Sequence, residues 1–156
     1  MAVKKPLVMG PDGRPQQLQT GDSLGAIETG QITLEADATV IPGAPVFASA
    51  AGHVDAARAN ASGTSRVIGL AAEGIASAAS GQVQTNGVLH LTTAEWDAVA
   101  GTTGGLTFDA TYYLSPSTAG LLTATCPTTV GQYVVIAGVA LSTEDLSIRL
   151  SEPILL

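Results

Sequence analysis

Short apolar runs with a two-residue period, each broken by proline or glycine, constrain this chain more than any other feature. Apolar side chains recur at every second position over residues 32–40, and the Pro42-Gly43 pair then interrupts the pattern. Such alternation places one face of a β-strand on a core and the other face in solvent. A similar alternation returns over residues 146–150. We therefore predict an all-β fold, mainly antiparallel, of the sandwich, barrel or tulip-like type.

One stretch departs from the β pattern. Thr92 and Glu95 have the spacing of a capping box, in which the side chain of each residue accepts a hydrogen bond from the backbone N–H of the other. Trp96 and Val99 lie three residues apart and so share one face of a helix, which can dock on a sheet. The sequence therefore predicts one short helix near residues 93–100.

Residues 1–30 differ from the rest of the chain. Prolines interrupt them at three places and no apolar period survives. We predict an extended N-terminal arm, with a disordered tail as the alternative. The first fourteen residues carry a net charge of +2 and the remainder carries −9. The basic residues of the arm are either anchors to an acidic surface or ordinary solubilising charges: Lys4, Lys5 and Arg14.

Two segments of the chain look alike, PVFASAAGHV at 45–54 and TYYLSPSTAGLLT at 111–123. Each has bulky residues in front of a bend made of small residues. Neighbouring side chains in a strand point to opposite faces, so one residue of each bulky pair should face the core and the other should face a neighbour. The candidate core or oligomer contacts are Phe47, Tyr112 and Tyr113, together with Trp96 of the helix.

The likeness extends beyond these segments. Phe47 precedes Tyr113 by 66 residues, and the apolar pair at 67–68 precedes that at 135–136 by 68. Internal similarity at a nearly constant separation indicates duplicated structural units. Chance resemblance between hairpins rich in small residues is the alternative. We predict a β-rich body over residues 31–156 that contains two pseudo-repeats, at about 40–91 and 105–151.

The charge content limits the kinds of partner. Charged residues form only 12% of the chain, and between Asp97 and Glu144 the only charged residue is Asp109. A free monomer usually needs more surface charge than this, so we expect copies of the chain or a partner to cover much of the surface. Nucleic acid is not an expected partner, because no basic stripe is present. A membrane is not expected either, since no apolar run is long enough to span one.

No motif in the sequence indicates catalysis. His53 and His90 lie in strand-like segments at no spacing that builds a metal site. No nucleophile elbow and no phosphate-binding loop occurs, and a single cysteine, Cys126, excludes an internal disulfide and is expected to be buried. The paired carboxylates are expected to be surface charges: Glu35 with Asp37, Glu95 with Asp97, and Glu144 with Asp145. We therefore expect no enzymatic activity, no cofactor and no metal site.

Several phrases of the chain resemble structural proteins of tailed bacteriophages. The leader KKPLVMGPDGRPQQLQTGDSLG at 4–25 is similar to segments that join an arm to a β domain in such proteins. The body is similar to head decoration, or capsid cement, proteins and to some phage fibre modules. The phrases that carry this likeness are VIPGAPVFASAAGHVDAA, TTAEWDAVAGTTGGLTFDATYYLSPSTAGLLT and QYVVIAGVALSTEDLSIRL.

The resemblance implies a virion protein without catalysis, made in the host cytoplasm and placed on the capsid exterior. There it would bridge subunits of the major capsid protein, most often as a homotrimer and sometimes as a dimer. The alternative is a tail or head-fibre module that binds a host surface receptor, for which Tyr133, Tyr112 and Trp96 are the aromatic candidates. A bacterial scaffold or toxin-delivery component of the same architecture is a third possibility.

Overall fold

The fold is described from a computed structural model of the 156-residue chain. The structure describes residues 30–156. Before them it describes two short strands that pair antiparallel, β1 (Leu7–Met9) and β2 (Pro15–Gln17). The rest of the predicted arm lies outside the described residues. The same is true of the three basic residues assigned to it, Lys4, Lys5 and Arg14.

Residues 30–156 form an all-β structure with one short helix, which confirms the predicted fold class. The strands and the helix follow one another along the chain as β3 (Gln31–Ala36), β4 (Pro45–Ala50), β5 (His53–Ala56), β6 (Val67–Ala71), β7 (Ser80–Gln84), β8 (Gly87–His90), α1 (Thr93–Ala100), β9 (Thr111–Leu114), β10 (Leu122–Thr123), β11 (Tyr133–Val134), β12 (Ile136–Ala140), β13 (Asp145–Ile148) and β14 (Ile154–Leu155).

Residues 30–86 form a closed five-stranded barrel, which we call the first unit. Its strands are neighbours in the order β3-β5-β4-β6-β7, and β7 pairs back with β3. All pairs are antiparallel except β3 with β5, where Ala36 lies opposite Val54. The Asp37 amide donates a hydrogen bond to the Val54 carbonyl at 2.9 Å and extends this parallel pairing. Main-chain hydrogen bonds therefore close the first unit.

Residues 87–151 form an open antiparallel sheet in the order β10-β9-β12-β13-β8, which we call the second unit. Helix α1 packs on this sheet through Trp96 and Val99, both fully buried in one cluster with Leu89 of β8 and Leu122 of β10. The predicted capping box is present, and Gly101 ends the helix in a left-handed conformation with φ 64°. Apolar side chains of the helix therefore close the second unit.

The two units have the same strand order, because β5-β4-β6-β7-β3 corresponds to β10-β9-β12-β13-β8. In the first unit Phe47 lies opposite Val67, and the pairing of β4 with β6 then shifts at a bulge. In the second unit Tyr113 lies opposite Ile136, and the pairing of β9 with β12 shifts at the same place. The two units therefore share the position of a bulge as well as a strand order.

The strand pairing divides the chain differently from the predicted pseudo-repeats. Strand β3 occupies the place in its sheet that β8 occupies in the other, so the equivalent segments start near residues 30 and 87 rather than 40 and 105. Val67 corresponds to Ile136, a separation of 69 residues, one more than the sequence match indicates. The Asn86-Gly87 pair is the point where the chain leaves the barrel for the second sheet.

The two units pack against each other along a seam of small and apolar residues. Ala57, Ala59, Leu114 and Val135 are fully buried there. The Ala59 amide donates to the Ser115 carbonyl at 3.0 Å, and the Tyr133 amide donates to the Ala59 carbonyl at 2.9 Å. The segment after β5 therefore joins both units through its backbone.

Candidate interaction site

Two histidine–aspartate pairs lie among the described residues. His53 Nδ1 lies 3.0 Å from Asp37 Oδ1, and His90 Nδ1 lies 2.8 Å from Asp145 Oδ1. Both pairs are on the surface. Within residues 30–156, no three His, Cys, Asp or Glu side chains are grouped so that they could hold a metal ion.

Hydrogen bonds explain the shifted pKa values of the pair at His90. The Ser142 hydroxyl donates to Asp145 at 2.7 Å, and this bond, followed by that to His90, lowers the pKa of Asp145. The hydrogen bond to Asp145 in turn raises the pKa of His90. These contacts hold β8 against β13, where His90 lies opposite Asp145.

Asp97 has a structural role that the sequence did not indicate. Its carboxylate accepts hydrogen bonds from the Gly105 and Gly104 amides at 2.8 and 2.9 Å and from the Thr102 hydroxyl at 3.0 Å. The Gly105 amide, followed by that of Gly104, lowers the pKa of Asp97. The carboxylate therefore fixes the turn that follows helix α1.

The predicted aromatic contacts separate into two kinds. Trp96 and Tyr112 are fully buried, and each polar atom has a partner: the indole N–H donates to the Glu144 carbonyl, and the Tyr112 hydroxyl accepts from the Thr107 amide. Phe47 and Tyr113 are half-buried. Two of the four residues are therefore core contacts, and two reach the surface.

Cys126 is exposed, which corrects the prediction that it is buried. It follows the very short strand β10 in a stretch, residues 124–126, that lies on the surface. Its side chain is apolar, but this surface stretch does not pack on a core that could bury it.

A groove opens along the seam between the units and has a volume of about 440 Å³. We call it the seam groove. A smaller cavity of about 230 Å³ adjoins it, shares Arg66 and Pro153 with it, and includes Tyr133 in its wall. The seam groove is lined by one set of residues from the first unit and by another from the segment after β13: Phe47, Ala48, Gly63, Arg66, Val67 and Ile68, with Leu150, Ser151, Glu152 and Pro153.

Charges stand at the rim of the seam groove. An Arg66 guanidinium nitrogen lies 3.9 Å from a Glu152 carboxylate oxygen, and the side chains are 75% and 86% exposed. An ion pair of this length and exposure contributes little to stability. Both charges are therefore available to a partner.

A second surface feature adjoins the seam groove. Strand β14 pairs with β11 alone in the described part of the chain, and Ile154 and Leu155 are 61% and 60% exposed. Val130, 86% exposed, lies in the turn beside them, where the Gly131 amide donates to the Leu156 carbonyl. We call Val130 and residues 154–156 the β14 patch. The apolar run after Pro153 could have indicated it, but the alternation over residues 146–150 predicts a last strand that ends at that proline.

No helix in the described residues is long and apolar enough to cross a membrane. Comparison with protein-family models, with curated proteins and with solved structures finds no match to this chain.

Proposed function

We propose that this chain is a structural virion protein that binds the outside of a phage capsid and bridges subunits of the major capsid protein. The observation that carries the proposal is the β14 patch, a cluster of large apolar side chains on a surface strand. Clustered exposed apolar side chains mark interaction surfaces, because burying them releases about 25 cal/mol per Å². An edge strand left uncovered also invites pairing with another chain.

The charge distribution supports the same function. From residue 98 to residue 143 only Asp109 is charged, so a large part of the second unit offers no charge that must be stripped of water on contact. Symmetric copies, a homotrimer in the first instance, would present several weak contacts at once. Multivalent attachment can raise affinity by about 10²–10⁴ without new contacts at each site.

The arm supplies a second means of attachment. Lys4, Lys5 and Arg14 would pair with acidic groups of the capsid exterior, while the body carries the excess negative charge. Each exposed pair contributes roughly 0.2–1 kcal/mol, so the arm strengthens binding mainly through repetition. The protein would be made in the host cytoplasm and would bind the exterior of the capsid.

The proposal is tested with capsids assembled without this protein. Full-length protein should saturate these capsids. Leu155→Asp should bind at least about tenfold more weakly, because it places a charge in an apolar contact. Deletion of residues 1–20 should abolish binding. Val88→Asp is the matched control, since Val88 is also exposed but lies outside the β14 patch. Unchanged saturation by Leu155→Asp would overturn the assignment of the β14 patch, and failure of the full-length protein to bind any capsid would overturn the function.

A receptor-binding fibre module is the alternative function. Sugar-binding surfaces present exposed aromatic side chains, and of the aromatic candidates Trp96 and Tyr112 are buried. Phe108 is the one aromatic residue among the large exposed apolar side chains of residues 30–156, at 73% exposure. Binding of the purified protein to a glycan array, lost in Phe108→Ala, would favour this alternative.

A further inference from the structure

The internal likeness of the two units exposes a difference at the seam groove. In the second unit, pairing with β12 continues beyond β13: the Arg149 amide donates to the Ala137 carbonyl at 2.9 Å and the Ser151 amide donates to the Ile136 carbonyl at 3.1 Å. An extended segment therefore covers residues 136–137 of β12.

The first unit lacks this cover. Pairing of β6 with β7 ends where Leu70 lies opposite Gln84, because the chain then turns away at Asn86-Gly87 to form β8. Val67 and Ile68 are the counterparts of residues 136–137, and they have no such segment beside them in the described part of the chain. Both residues line the seam groove. The groove therefore lies where the fold itself places an extended segment in the other unit.

A second feature of the chain lacks a partner. Strands β1 and β2 pair with each other and with no other strand among the residues that the structure describes. An isolated two-stranded hairpin is at best marginally stable in water, and a third strand or a covering surface is needed to hold it. Strand β1 has the apolar sequence Leu-Val-Met, which suits a groove walled by Phe47, Val67 and Leu150.

We propose that the seam groove of one copy binds the β1–β2 hairpin of a second copy, with β1 running as an added strand. Strand addition of this kind combines main-chain hydrogen bonds with pockets for alternate side chains. Only Pro6 separates Lys4 and Lys5 from β1, and Glu152 at the rim is an exposed carboxylate that complements them. The twelve residues between β2 and Gly30 can extend to about 40 Å, enough to carry the hairpin to a neighbour.

This exchange makes self-association a property of the chain itself, whether or not a capsid is its partner. Its test uses purified full-length protein and no capsid. Failure of capsid binding would leave the exchange standing, and absence of the exchange would leave capsid binding standing.

Cross-linking between two single-cysteine variants tests the exchange. In a Cys126→Ser background, Gln16→Cys in β2 is mixed with Ala48→Cys at the groove, and a short bis-maleimide is added. A tag on one variant identifies the mixed dimer. We expect at least about tenfold more mixed dimer than with Thr118→Cys, a matched control on an exposed turn away from the groove, because binding raises the local concentration of the two thiols.

Two results would overturn the exchange. One is a yield no higher than that of the Thr118→Cys control. The other is cross-linking confined to a single chain in the double variant Gln16→Cys/Ala48→Cys, which would mean that the hairpin binds its own groove.

A charge reversal tests the orientation of the hairpin. Glu152→Lys in the groove variant should lower the yield of mixed dimer by about two- to fivefold, and Lys4→Glu with Lys5→Glu in the hairpin variant should restore it. A yield unaffected by Glu152→Lys, or one that the second change fails to restore, contradicts the proposed placement of β1.

Discussion

The first and second units arrange five strands in the same order but close the arrangement by different means. The first unit closes through the parallel pair of β3 and β5, in which Ala36 lies opposite Val54. In the second unit, helix α1 follows the edge strand β8 and packs on the sheet, and Trp96 is buried with Leu89 of β8 and Leu122 of β10. The same strand order can therefore be completed by main-chain hydrogen bonds or by a buried aromatic side chain.

The difference extends to the composition of the two cores. The first unit buries mainly alanine and valine. These small side chains let the strands lie close to one another and close the barrel. The second unit buries large side chains, because an open sheet with a helix across it leaves more space to fill. The buried apolar residues of the first core are Ala36, Val40, Ala44, Val46, Val54, Ala71, Ile75 and Val83, and those of the second include Leu89, Leu91, Trp96, Leu106, Tyr112, Leu122 and Leu146.

The largest expected effect concerns the helix that closes the second unit. Trp96→Ala should lower the free energy of unfolding by about 3–5 kcal/mol, because it leaves a large cavity and removes the donor to the Glu144 carbonyl. Trp96→Phe, which keeps most of the volume, should cost less. Urea unfolding followed by circular dichroism measures both. A loss below about 1 kcal/mol in Trp96→Ala would mean that the helix does not close the second core.

An intermediate effect concerns a glycine that both units share. A Cβ on Gly69 would lie 2.7 Å from the Gln84 carbonyl oxygen, and one on Gly138 would contact the Ser147 carbonyl oxygen more closely still. Gly69→Ala and Gly138→Ala should each cost about 1–3 kcal/mol, as overpacking does. Unequal costs, with one variant near wild type, would show that the two strand pairs are not equivalent.

Gly63→Ala is the control for these two variants. A Cβ on Gly63 would meet nothing within 4 Å, and its backbone is not left-handed. Its unfolding free energy should stay near wild type or rise by about 0.4–1 kcal/mol, because alanine reduces the freedom of the unfolded chain.

The smallest expected effect concerns pH and the pair that joins β8 to β13. The pKa of His90 is raised above 6.5, so its contribution to stability is complete below that pH and is lost as pH rises through the folded-state value. The pKa of Asp145 is lowered below 3.8, so its contribution is present above that pH and is lost as pH falls through the folded-state value. The pair therefore stabilises the second unit fully between pH 3.8 and pH 6.5 and less beyond that range on either side.

Asp145→Asn tests this dependence. Wild-type stability should decline as pH rises through the folded-state pKa of His90, and the variant should lack most of that decline, with nearby Glu144 retaining a small share. An NMR titration of the imidazole should give a His90 pKa above 6.5 in wild type and closer to 6.5 in the variant. A wild-type value at or below 6.5 would contradict the assigned hydrogen bond.

Local signals in the sequence predicted the elements of the fold well. The Thr92–Glu95 capping box placed helix α1, because a helix start depends on residues three positions apart. Alternation over residues 32–40 predicted β3, but the strand ends at Ala36, and Ile32 near its start is exposed.

The candidate site was less accessible to sequence reasoning. Phe47 was among the predicted core or oligomer contacts, but Arg66 and Glu152 were not singled out, because they lie 86 positions apart along the chain. Their proximity depends on how the two units pack at the seam. The roles of Lys4, Lys5 and Arg14 stay predictions, because these residues lie outside the described part of the chain.

By itself, the sequence determined the periodicity, the turns and the single helix, because these depend on φ/ψ preferences and on side chains a few residues apart. Only the tertiary structure decided that one unit is a closed barrel and the other an open sheet with a helix, and that a groove lies between them. Strand pairing and unit packing join residues tens of positions apart, and many pairings satisfy the same alternation. Among these possible pairings, the one that buries both cores is selected.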